Sequence, residues 1–325
     1  MSYVFSISWR KKKLLIMTDK RKIYFNGEFV DELDARVSIF DSALMFGDLV
    51  FEMTRSFKHE PFKLREHLER LYVGLKILEI DPLMTIDQME DLTKQVVEMN
   101  LPTFKPGIDF QIMHSVSRGP LGPYHSLFPD GLKPTIYINC WPLYWHVGAL
   151  SHLYDTGVNA IITSQRSVPA QYIDPKMKNR SRIYYQIANM QAHKFGDDAW
   201  ALLTDDDGFI TEGTGANFFI VKNGELITPE PRNILRGVTR ETIINLAEKL
   251  GITCHEKNIE AYDVVASDEA FFSSTPFVMM PATKINGLTI GNGTVGDVTK
   301  LILKEFSKMV DVDIVDQAKK MRPLK

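Results

Sequence analysis

Cysteine is nearly absent from this chain: Cys140 and Cys254 are the only two in 325 residues, and no Cys-x-x-Cys spacing occurs. That excludes a disulfide framework and a zinc-ribbon pattern, so no metal site is expected. Excess positive charge is missing too. The 38 lysines and arginines face 41 acids, a formal net charge of -3, which lacks the basic footprint of a nucleic-acid-binding protein. No apolar run approaches the ~20 residues of a membrane span, so a cytoplasmic chain without a membrane partner is expected. There is no internal repeat and no low-complexity tract. What remains is ordinary for a soluble globular protein, 44% hydrophobic and 24% charged. The length exceeds one usual core and predicts two domains.

Residues 1–16, MSYVFSISWRKKKLLI, carry four positive charges and no acid, and read as a disordered extension before the folded chain. Lys22 to Val30, KIYFNGEFV, is a strand, an Asn-Gly turn and a second strand. Val50 to Lys63 repeats the idea with a longer turn at His59-Glu60. Leu68, Leu71, Tyr72, Leu75 and Leu78 share one face of a helix predicted from Arg65 to about Glu79. A second helix starts at Thr85, where Gln88 completes a capping box. Strands near 107–116 and 134–140 finish an α+β unit. Trp141 to Leu153 breaks the periodicity. The expected division is therefore an extension over 1–18, a smaller α+β domain over 19–142, a connector over 143–154 and a larger domain over 155–325.

The larger unit alternates strands (near 158–164, 199–204, 216–221, 225–228 and 269–274) with helices from Thr239 to Leu250 and over 296–309. Three of its features fit one chemistry. Lys178 stands between an apolar strand and a helix in which Ile183, Ile187, Met190 and Ala192 recur at helical spacing. That setting predicts a partly desolvated amine at a core edge. Glu212 lies in the small-residue segment Thr211-Glu212-Gly213-Thr214-Gly215, read as a loop that a flat ligand could approach closely. Gly237-Val238-Thr239 opens a helix, and Thr275 follows a strand; free backbone N–H groups and hydroxyls there suit an anion. Singly, a surface lysine, a turn glutamate and a threonine N-cap would each be ordinary. Together and in this order they supply the amine, carboxylate and anion site that pyridoxal phosphate requires.

The chain resembles fold-type IV pyridoxal-phosphate enzymes, the class of branched-chain and D-amino-acid aminotransferases, (R)-amine transaminases and aminodeoxychorismate lyases. The resemblance runs from Ile23 to Met309. It is carried by YFNGEFV, FGDLVFE at 46–52, EHLERL at 66–71, the lysine helix, TEGTGANFF at 211–219, GVTRETI at 237–243 and DEAFFSST at 268–275. It implies a two-domain α+β and α/β fold with pyridoxal 5'-phosphate as cofactor. Lys178, with Lys176 as rival, would be the Schiff-base lysine, and Glu212 would pair with the pyridine nitrogen. Arg70, Val238, Thr239 and Thr275 would hold the phosphate.

Phe46, Phe51 and Arg55 resemble the branched-chain pattern. Gln111, however, stands where bacterial branched-chain enzymes carry the arginine of Tyr-x-Arg, and Ser117-Arg118-Gly119 looks more like the D-amino-acid type. The expected substrate contacts are Phe46, Phe51, Arg55, Gln111 and Arg118, with Arg55 organising a carboxylate and Arg118 helping. The implied activity is amino transfer between an amino acid, branched-chain or related apolar, and a 2-keto acid. D-amino-acid or (R)-amine transamination comes second, aminodeoxychorismate lyase third, and a cofactor-binding homologue without turnover is the non-enzymatic alternative. The resemblance also implies a homodimer or larger homo-oligomer.

Overall fold

The computed structural model describes residues 20–321, and the expected extension over 1–18 lies outside them. The first half forms a six-stranded sheet from β1 (Lys22–Phe25), β2 (Glu28–Asp31), β3 (Leu49–Phe57), β4 (Glu60–Pro61), β5 (Phe110–Ser117) and β6 (Thr135–Pro142), in the order β2-β1-β6-β5-β3-β4. Asn26 and Gly27 turn the first hairpin at φ of 49° and 101°, the two positive values that a two-residue hairpin turn of the right twist demands. Helices Leu64–Ile77 and Ile86–Asn100 cover one face. Leu68, Leu71, Leu75, Met89 and Val96 are buried there against Val50, Ile112, Val116 and Ile138. Thr85 and Gln88 make the capping box that the sequence predicts.

The second half is built on β7 (Val158–Ile162), β8 (Ala199–Thr204), β9 (Ile210–Gly213), β10 (Ala216–Lys222), β11 (Glu225–Thr228), β12 (Cys254–Glu256), β13 (Glu269–Ser274), β14 (Val278–Ile285) and β15 (Leu288–Thr289). The order β12-β11-β10-β13-β14-β7-β8-β9 closes on itself because β9 also pairs with β10, so six strands form a barrel. In the β10–β13 ladder Phe218 faces Phe272 and Phe219 faces Phe271, all four fully buried. A strand covered on both faces reads as a continuous apolar run, as ANFFIV does. Helices Val238–Lys249 and Asp297–Met309 pack on β13.

Two sequence expectations need correction. The segment around Glu212 is not a loop: Ile210–Gly213 is β9, and its 216–217 partners hold Glu212 in register opposite Asn217. The Ile183–Ala192 helix buries Tyr185, Ala188 and Ala192, whereas Ile183, Ile187 and Met190 are exposed. Periodicity located that helix, but the larger Tyr185 ring, with a hydroxyl to satisfy, occupies the core face.

Candidate active site

The segment carrying Lys178 is fastened to β3. Phe51 N donates to Lys178 O at 2.9 Å and Arg180 N donates to Leu49 O at 3.0 Å, so residues 178–180 run beside that strand. The Lys178 amine lies half-buried at the floor of a cleft, 5.0 Å from the centre of the Phe51 ring. Burial pulls its pKa down to about 7, with Glu52 opposing and Arg70 and Arg182 adding to the fall. Lys176 points elsewhere: its amine meets Asp174 at 2.8 Å and donates to Arg232 O.

On one side of Lys178 is a narrow pocket walled by Arg70, Glu212, Val238, Thr239 and Thr275. The helix beginning at Val238 has no side-chain cap at Gly237, which leaves its first N–H groups available. Arg70 is held above them by two bonds to Glu52, 2.6 and 2.8 Å, and one to Arg236 O at 2.7 Å. Glu52 is fully buried; burial would raise its carboxyl, but Arg70 and His67 outweigh that and hold it well below the usual range. The opposite end of the pocket is Glu212, which accepts from Tyr185 Oη at 2.7 Å, Leu235 N at 3.1 Å and Asn217 Nδ2 at 3.3 Å. All three donors are neutral, and burial raises the Glu212 pKa. A cation in this pocket would relieve that cost. Ser273 Oγ, buried in the same wall, has no hydrogen-bond partner among the described residues.

An amine, a carboxylate without a directly bonded cation and an anion-seeking end with Arg70 and free N–H groups fit pyridoxal phosphate. Arg70 and the start of the Val238–Lys249 helix would hold its phosphate, and Glu212 would face a protonated ring nitrogen.

On the other side the pocket opens into a cleft of about 660 Å³. Its walls include Phe51, Met53 and Phe277, with Arg180 and Arg182 as its arginines. The remaining predicted substrate contacts lie elsewhere. Arg55 is buried, donates to Ser56 O (3.3 Å), Pro276 O (2.9 Å) and Gln317 Oε1 (2.8 Å), and stacks on Phe57, so it joins the two halves of the chain and does not line the cleft. This corrects the expectation that it organises a carboxylate. Arg118 is exposed and engaged by Asp48 and the carbonyls of Leu78 and Glu79. Gln111 is fully buried behind the wall, its amide shared between Met53 Sδ and His146. Phe46 is exposed, its carbonyl accepting from Ser181 Oγ. Sequence reasoning missed Tyr185 and Arg180. The Tyr184-Tyr185 doublet and the alternation Lys178, Arg180, Arg182 were the available signals, and neither says which member turns inward.

The family model described as class IV amino-transferase matches residues 49–285. A Methanocaldococcus jannaschii protein, provisionally named a branched-chain-amino-acid aminotransferase, is 38% identical over 88% of this chain and 95% of its own length. The Escherichia coli branched-chain amino acid aminotransferase structure superposes with a TM-score of 0.81 at 29% identity, covering 90% of this chain and 95% of that one. A T.th. branched-chain amino acid aminotransferase, solved with pyridoxamine 5'-phosphate, gives 0.79 at 27% identity over 90% and 94%.

Proposed function

Since the chain belongs to the class IV aminotransferases, pyridoxal-phosphate-dependent transaminases of the fold-type IV class, we propose that its cleft moves amino groups between branched-chain or related apolar amino acids and 2-oxo acids. The observation that carries this reading is the Lys178 amine, with a pKa near 7, at the junction of a narrow anion-seeking pocket and a wide cleft with apolar walls. The branched-chain names of the relatives support the substrate class, as do Phe51, Met53 and Phe277.

When bound, pyridoxal phosphate supplies the carbonyl that exchanges its oxygen for the amino group and a ring that withdraws electrons from the reacting carbon. The chain's residues do the rest. Arg70, the N–H groups at Val238 and Thr239, and the hydroxyls of Thr239 and Thr275 would bind the phosphate. Glu212, oriented by Tyr185, Leu235 and Asn217, would keep a proton on the ring nitrogen. Lys178, with a substantial neutral fraction at physiological pH, would take the proton from the substrate's α-carbon and return it to the carbon on the far side of the amino nitrogen. Phe51 and Phe277 limit water in the cleft.

In this reading residues 19–142 and 155–325 are two domains joined by the connector, with the cleft between them. The chain works as a cytoplasmic homodimer, supported by the exposed Ile183, Ile187 and Met190 stripe beside the cleft and by two unpaired cysteines. Sedimentation at micromolar concentration should give about 74 kDa, twice the 37.1 kDa chain mass. The activity is tested by loading the protein with pyridoxal phosphate and following its absorbance with L-leucine, L-glutamate, D-alanine and (R)-1-phenylethylamine separately. L-Leucine should convert the spectrum fastest; a response confined to D-alanine or the amine would refute the branched-chain assignment.

A further inference from the structure

The cleft has an unbalanced charge. Lys178, Arg180 and Arg182 line it, and among the described residues no aspartate or glutamate does. Arg182 also borders the narrow pocket, where its charge acts on Glu212 and Tyr185. Neither arginine pairs with a carboxylate among the described residues, and the buried Nε of Arg182 has no partner there; Arg180 differs in bordering only the wide cleft. Its guanidinium stacks on the Phe51 ring at 3.7 Å, and Nη2 rests 3.0 Å from Met113 Sδ. A thioether is a weak acceptor, so the fork of N–H donors is left essentially unspent.

The contact with Met113 locates that charge. Residues two apart on a strand share a face, so Met113 and Gln111 project from the same side of β5. Gln111 is neutral, and its amide is already engaged by Met53 and His146. The β5 strand therefore contributes no charge to the cleft, and Arg180 brings one to the same wall from the opposite direction. Its backbone is fixed for the task, because Arg180 N is bonded to Leu49 O and Lys178 O receives Phe51 N. A planar guanidinium held by stacking has lost little further freedom to a ligand, and it can bind a carboxylate through two parallel N–H bonds.

We propose that Arg180, from the same segment as Lys178, is the residue that binds the substrate's α-carboxylate, replacing a charge that β5 does not provide. The cleft then selects amino and 2-oxo acids over amines that lack a carboxylate. This rests on the transaminase reading of the cleft and deepens it.

The test uses the cofactor-loaded enzyme and the variants Arg180→Met, Arg180→Lys and Arg180→Met combined with Gln111→Arg. Binding of the unreactive acid 4-methylpentanoate is measured by calorimetry and by the cofactor's absorbance. Half-reactions are run with L-leucine and with 3-methylbutylamine, its counterpart without the carboxylate. Arg180→Met should weaken 4-methylpentanoate and raise the L-leucine KM about 10- to 150-fold, as loss of a charged hydrogen-bonded contact implies. The cofactor spectrum and the rate with 3-methylbutylamine should stay within about threefold. Arg180→Lys should recover part of the loss, and Gln111→Arg should recover more by returning the charge from the other wall. Unchanged binding of 4-methylpentanoate, or equal losses for leucine and the amine, would overturn the role of Arg180 while leaving the transaminase intact. A wild-type protein that binds cofactor but responds to no amino donor would instead remove the transaminase reading, and this proposal with it.

Discussion

A lysine in water is protonated at neutral pH except for roughly one molecule in a few thousand. Lys178 reaches a pKa near 7 because burial withdraws solvent from its ammonium form more strongly than Glu52 restores it. The same shift makes a stability prediction. In the cofactor-free protein the folded state releases the Lys178 proton near pH 7, and the unfolded chain keeps it to about 10.5. Between those values the unfolded chain binds more protons, so this group makes stability rise with pH; below pH 7 its penalty is fully present. Lys178→Met should therefore be more stable than wild type at pH 6, with the difference shrinking toward pH 10. Thermal melts of the two cofactor-free proteins across that range check this, and parallel curves would contradict it. Glu212 presents the opposite problem, a carboxylate whose burial favours its neutral form although three donors hold it. Glu212→Gln keeps the shape and loses the charge. It should still bind cofactor but slow the leucine half-reaction by on the order of 100-fold, by analogy with the loss of one preorganised electrostatic contact. Stopped-flow absorbance would show equal rates if Glu212 had no part in it.

Elements matter here mainly through their ends. The Val238–Lys249 helix opens at Gly237, where a Cβ would come within 2.2 Å of Asn217 Oδ1, so a side chain at that position would displace the asparagine that supports Glu212. With no side-chain cap, the helix end offers its N–H groups to an anion, and the Leu64–Ile77 helix contributes Arg70 from the other side. Replacing Arg70 with alanine removes a charged contact worth roughly 1.5–3 kcal/mol, which should weaken pyridoxal phosphate about 10- to 150-fold. Thr239→Ala should cost less, because the backbone donors remain. Equilibrium dialysis orders the two, and a larger loss for Thr239→Ala would reverse the assignment. Glu52 explains why Arg70 is fixed rather than mobile: its buried carboxylate is satisfied by Arg70 on one side and His67 on the other.

Across the whole molecule, the two sheets are coupled by a buried polar joint. Arg55 on β3 reaches Pro276 O and Gln317, while Gln317 Nε2 donates to Asp109 Oδ2 at 2.6 Å, and Asp109 accepts from Ser56 Oγ and His59 N. Phe57 and Phe62 pack beside it on Phe306. Burial lowers the Arg55 pKa to about 10, still far above neutrality, so the residue stays charged with carbonyls and an amide as its direct partners. Arg55→Met should destabilise the protein by roughly 1–3 kcal/mol through the acceptors left unpaired. It should shift leucine and 3-methylbutylamine by the same factor. Urea denaturation and the paired half-reactions test this; a selective loss for leucine would return Arg55 to the substrate site.

The sequence by itself determined the local pieces: the Asn26-Gly27 hairpin, the Thr85 capping box and the two amphipathic helices of the first half. It also singled out Lys178, Glu212 and Thr239, and family motifs added Arg70; the structure brings these four around one pocket. The local pieces are encoded by turn chemistry, by 3.6- and 2-residue periods and by short motifs, all of which act over a few residues. Barrel closure through β9 and β10 was not legible, because it depends on pairings between strands that no local period records. The inward face of the Ile183–Ala192 helix was misjudged for a related reason. Its two apolar stripes were equivalent until Glu212 offered Tyr185 a buried acceptor. Arg55 was the arginine expected to serve the cleft, and Arg180 was not singled out at all. Only the packing of β3 against Pro276 and Gln317 buried the first, and only the bonds of Leu49 and Phe51 to the lysine segment placed the second at the wide cleft. A side chain's type is written in the chain, but the partner that spends or frees its charge arrives from hundreds of residues away.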